Sequence, residues 1–177
     1  MNTREAFRRK LKSECGFTLA ELLITILILL MVSSVVAAGV PAAANAYRKV
    51  MDAANAQMLL STTVTSLRRE LAFAQSVPVK GTAVENAFQY TNGENGHTTS
   101  LTKESTGIAK TWTDITGSSP QLLVSEVAAT KGMVSSFGNI SYSDGFFVIS
   151  NLQIKKPGYN APLASIEELR IRAVRKP

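Results

Sequence analysis

Glu21 is the residue whose position asks most of the surrounding chain. It follows Phe17-Thr18-Leu19-Ala20 and precedes 19 residues, Leu22 to Val40, that carry no charge and are mostly Leu, Ile, Val or Ala. A carboxylate costs about 2.5–3.5 kcal/mol at the middle of a membrane span and less toward its edge, so such a group by default has a partner. A cation in the same low-dielectric layer offsets that cost by direct attraction. Without one, the side chain reaches back to the membrane surface. Other chemistry-bearing residues are scarce. His97, the only histidine, lies in the polar loop Asn92-Gly93-Glu94-Asn95-Gly96-His97, with no Cys and no obvious orienting acid beside it. A solvated loop histidine accounts for it better than a catalytic one. The only cysteine, Cys15, precedes the apolar run, so no disulfide forms within the chain. No G-x-S-x-G, Walker loop or H-E-x-x-H segment occurs. The Asn/Glu loop lacks the spacing of a calcium loop. No catalytic residue, cofactor or metal site is predicted.

The elements around Glu21 set its environment. About 20 residues at 1.5 Å rise cross a bilayer core roughly 30 Å thick, so the run after Glu21 reads as a membrane-spanning helix. With 45% hydrophobic and 18% charged residues over 177 positions, the chain is no disordered protein. The net charge of +6 divides informatively. Before Phe17, Arg4, Arg8, Arg9, Lys10 and Lys12 oppose Glu5 and Glu14, giving +3 in 16 residues, and the remainder holds 14 basic and 11 acidic residues. A basic cluster beside an apolar span stays in the cytoplasm, which puts everything after Val40 outside. The charge therefore reports topology more than nucleic-acid binding. The apolar run is too long for a signal-peptide core of roughly 7–15 residues, although Ala42-Ala43-Ala44 and Ala44-Asn45-Ala46 offer small-residue cleavage sites. A lipoprotein signal would place the Cys after the core. A simple signal anchor fits the length and orientation but leaves Glu21 unexplained.

Gly16-Phe17-Thr18-Leu19 followed by Glu21, behind a short basic leader and ahead of a long apolar helix, resembles the processing site of type IV pilins and the related pseudopilins. The resemblance covers residues 1 to about 45. It implies cleavage after Gly16 by a membrane prepilin peptidase, which also N-methylates the new Phe17 amine. It gives Glu21, with Thr18 beside it, a part in assembly, the carboxylate lying near a neighbour's amino terminus. The leader, with Lys10 and Lys12 nearest the junction, would hold the site at the cytoplasmic face. Cleavage creates an ammonium four residues before Glu21, and a charge pair between subunits would set the register of a filament. Gly16 has no side chain to obstruct a protease, so a large residue there should block cleavage. The partners implied are the peptidase, copies of the chain and other pilins in a helical filament, membrane assembly machinery, and lipid before assembly. Pilus subunit, pseudopilin of type II secretion and competence (DNA-uptake) pilin remain open within the family. From another class, a monomeric signal-anchored surface binding module would leave Glu21 incidental and Met1 as the terminus.

The expected fold is α+β: a long amino-terminal helix packed on a small antiparallel sheet. Residues 1–16 are the leader, 17–41 the membrane and filament-core helix, 42–76 an amphipathic half and 77–177 a β-rich head. Tyr47, Met51, Ala54 and Met58 recur at helical spacing, and Leu60, Val64, Leu67, Leu71 and Ala74 continue one stripe over. The pattern predicts a helix from about Phe17 to Ala74, bent at the helix breaker Pro41 and closed before Pro78. Predicted strands are Ala87–Thr91, Ser100–Lys103, Gln121–Val127, Ile140–Tyr142, Phe146–Ile154 and Leu169–Val174, with Ser143-Asp144-Gly145 as a hairpin turn. Phe146, Val148 and Leu152 are expected on one face. The alternation from Leu169 to Lys176 puts Arg170 and Arg172 on one strand face, as charges that discourage edge pairing. They are also a weak nucleic-acid candidate that lacks an adjacent aromatic platform, with Trp112 and Tyr142 not placed nearby. Nucleic acid is not an expected partner.

Overall fold

Leu19 to Ala72 form one α-helix of 54 residues, α1, in the computed structural model, which describes residues 17–78, 80–125, 130 and 132–174. The leader with Lys10, Lys12, Cys15 and Gly16 lies outside the described residues. Ala, Leu and Met supply strong helix propensity throughout. The helix does not end at Pro41 but runs through it. Proline fixes φ near the helical value, but it removes the donor that the Ala37 carbonyl would use and its ring crowds that carbonyl. At the other end the Ala72 carbonyl accepts the Val174 N–H at 2.7 Å, and Leu71 accepts from Ala74 at 3.2 Å. These bonds satisfy carbonyls that a helix terminus otherwise leaves open.

The chain divides into two compact units, one ending at Arg48 and one beginning at Lys49. In the first, every described residue is exposed, including the whole run Leu22 to Val40. In the second, α1 buries Ala56, Leu59, Leu60, Thr63, Leu67 and Leu71. Leu60, Leu67, Leu71 and Ala74 of the expected stripe are thus core. Tyr47, Met51, Ala54 and Met58 are exposed instead.

The head is built from two antiparallel sheets rather than one. β1 (Ala87–Thr91), β2 (Thr98–Glu104), β3 (Gly107–Trp112) and β4 (Gln121–Leu122) follow one another in order. In the second sheet β7 (Phe146–Lys155) is central. It pairs with β8 (Ala164–Arg172) along one edge, and with β6 (Ile140–Ser143) and β5 (Val134–Ser136) in succession along the other. The sheets share one core, in which Phe88 of β1 meets Phe147 of β7 edge-on at 5.9 Å and Tyr142 packs on Phe147 at 4.8 Å. Asp144 and Gly145 both have positive φ, 53° and 83°. This is the geometry of a two-residue hairpin turn, and Ser143 pairs with Phe146 across it.

Several expectations change. β3 and β5 were not foreseen, because β3 begins with three consecutive buried residues instead of alternating and β5 has only three residues. Gln121–Val127 shortens to Gln121–Leu122, with Val127 outside the described residues. β8 starts at Ala164 and ends at Arg172, earlier than expected at both ends. On β7 the inward residues are Phe147, Ile149, Leu152 and Ile154, not Phe146 and Val148. Asn151, at φ 49°, takes the left-handed conformation and shifts the alternation by one residue.

Candidate functional site

The amino-terminal end of α1 carries the expected assembly residues side by side. Thr18 is the last residue before the helix, and its Oγ1 accepts the Glu21 N–H at 3.2 Å. In return the Thr18 N–H and hydroxyl donate to Glu21 Oε2 at 3.0 and 3.1 Å. This is a capping box, in which a Thr at the cap and a Glu three residues on satisfy each other's backbone donors. The Thr25 hydroxyl donates to the Glu21 carbonyl at 2.7 Å, and the Glu21 carboxylate sits at the positive end of the helix dipole. Local structure thus gives Glu21 a role within its own chain, and its Oε1 keeps no partner among the described residues. Phe17 is 79% exposed. Gly16, Lys10 and Lys12 lie outside the described residues.

The head places the remaining candidates elsewhere. Arg170 and Arg172 lie on the exposed face of β8, alternating with buried Leu169 and Ile171, and Arg170 pairs with Glu168. An aromatic ring does stand beside them: Phe146, 40% exposed, is directly opposite Arg172. Trp112 is on β3 in the other sheet, and Tyr142 is buried.

His97 does have an orienting acid. Its Nδ1 lies 3.0 Å from Asp114 Oδ2, which also accepts the Thr98 N–H at 3.2 Å. Asp114 is 17 residues away from His97, and only pairing of β2 with β3 brings the two segments together. The hydrogen bond from His97 holds the Asp114 carboxyl below its ordinary range. Both side chains are about 40% exposed, and Trp112 stands near the His97 ring at 6.1 Å.

Two further polar clusters were missed. Glu70 Oε1 receives Lys110 Nζ at 2.5 Å, while its Oε2 receives Tyr90 OH at 3.0 Å and Asn92 Nδ2 at 2.9 Å. Burial, and then the Glu70 charge, push the Tyr90 phenol well above its ordinary range. Asp52 accepts Lys156 Nζ at 2.6 Å and Tyr159 OH at 2.8 Å, and these bonds hold its carboxyl below the ordinary range. The partners are 20 to 107 residues apart in sequence, so no local pattern signals them. Both clusters fasten α1 to the head. Among the described residues no three His, Cys, Asp or Glu side chains gather as a metal cage.

No curated protein and no solved structure matches this chain. Residues 11–37 match the prokaryotic N-terminal methylation motif, a stretch that holds Phe17, Thr18, Glu21 and most of the apolar run. The chain carries the type IV pilin, or prepilin-type, signature.

Proposed function

We propose that this chain is a structural subunit of a type IV pilus or pilus-like filament. A prepilin peptidase cleaves between Gly16 and Phe17 and N-methylates Phe17. The cleaved chain waits in the cytoplasmic membrane as a single-pass protein with its head outside, and then joins copies of itself and other pilins through α1. The observation that carries this reading is the methylation motif at residues 11–37, set at the start of a helix whose 19 uncharged residues are all exposed. Apolar surface on that scale needs a cover of lipid or of other helices. After cleavage the free Phe17 ammonium of one subunit is available to the Glu21 carboxylate of another.

The capping box offers a rival role for Glu21, and two substitutions separate the roles. Gln still fits a capping box but carries no charge. Under the charge-pairing account Glu21→Gln and Glu21→Ala both process normally and both fail to assemble, read as loss of the chain from the sheared cell-surface fraction. Normal filament yield from Glu21→Gln would overturn the charge-pairing account and reduce Glu21 to a helix cap.

A further inference from the structure

β8 ends the second sheet with an open edge. β7 occupies one side of it along nearly its whole length, and β6 and β5 lie beyond β7, so among the described residues no strand flanks its other side. At its carboxyl end the Ala173 N–H bonds to Gly145 O at 2.9 Å, one step beyond the register pair Arg172 and Phe146. Backbone groups of alternate residues point to the same neighbour in an antiparallel ladder. The N–H and C=O of Glu168, Arg170 and Arg172 therefore point to the open side. A nine-residue edge of this kind is a template for another strand.

The side chains on that edge are not simply repulsive. Glu168 and Arg170 share an exposed face and already pair with each other. We propose that the β8 edge is a contact between two copies of this chain, paired antiparallel about a two-fold axis at Leu169. That register sets Glu168 opposite the partner's Arg170 and Arg170 opposite the partner's Glu168, so both cross-strand pairs attract. Moving the axis by one residue sets Glu168 against Glu168, or Arg170 against Arg170. The edge thus complements itself in one register and penalises those on either side. The backbone groups on the open side at 168 and 170 are also the ones this register hydrogen-bonds across the axis. An isologous contact closes after two copies and cannot extend a filament. It joins two chains, or two assemblies, side by side through their heads, and it does not depend on the processing of Phe17.

The test uses the full chain in detergent, with self-association measured by sedimentation equilibrium. Glu168→Arg alone sets arginine against Arg170 across the axis, and Arg170→Glu alone sets two acids together. Each single variant should weaken self-association about tenfold, and Glu168→Arg combined with Arg170→Glu should bring it back to within about threefold of the parent. The double variant guards against a folding defect, since it carries both changes. In a Cys15→Ser background, mixed Glu168→Cys and Arg170→Cys chains should form a disulfide with each other more readily than either forms alone. Equal association of all four proteins, or no excess of the mixed disulfide, would overturn the proposal.

Discussion

Before Arg48 every described side chain of α1 is exposed, whereas beyond Lys49 the same helix buries six residues against two sheets. The apolar character is greater in the exposed half. Burial therefore does not follow hydrophobicity along this helix. It follows where the chain supplies strands to pack against, and the half without them must find its cover outside the chain.

Head and anchor should respond to truncation in opposite ways. Phe147 is fully buried and touches Phe88 and Tyr142, so Phe147→Ala should cost the head about 3–5 kcal/mol by leaving a cavity. Leu27→Ala, on the exposed half, should change head unfolding by less than about 0.5 kcal/mol. Thermal unfolding of the full chain in detergent compares them, and equal losses would erase the distinction between the halves. A Glu70→Ala change should cost less, about 2 kcal/mol, because it strands Lys110, Tyr90 and Asn92 without their shared acceptor while Lys110 retains some contact with water. Unchanged denaturant midpoints for that variant would show that the cluster does not fasten helix to head.

The smallest effect is a pH dependence. The Asp52 carboxyl is depressed by its bonds from Lys156 and Tyr159. Its contribution is present above the ordinary carboxylate value of about 3.9 and is lost as pH falls through the depressed one. Asp52→Asn should thus be less stable than the parent at pH 6 and converge with it toward about pH 2. A gap that persists at low pH would assign the effect to packing rather than charge.

The residues that were readable are those whose reason is local. Thr18 and Glu21 are three apart, the apolar run is continuous, and Asp144-Gly145 declares its turn in two residues. The α+β class follows from the switch in periodicity after Pro78. What was not readable depends on distant partners. The pair His97–Asp114 exists only once β2 and β3 align, and Glu70 takes its meaning from Lys110, 40 residues on. Strands β3 and β5 escape the pattern because β3 does not alternate and β5 is short, and the inward face of β7 differs from the expected one because one left-handed residue, Asn151, shifts it.

The central claim is that this chain is processed at Gly16–Phe17 and assembled. It is tested most directly by the mass of the amino-terminal peptide in protein sheared from the surface of its native cells. The account predicts a peptide that begins at an N-methylated Phe17. A chain that keeps residues before Phe17 and is recovered only from membranes would contradict it.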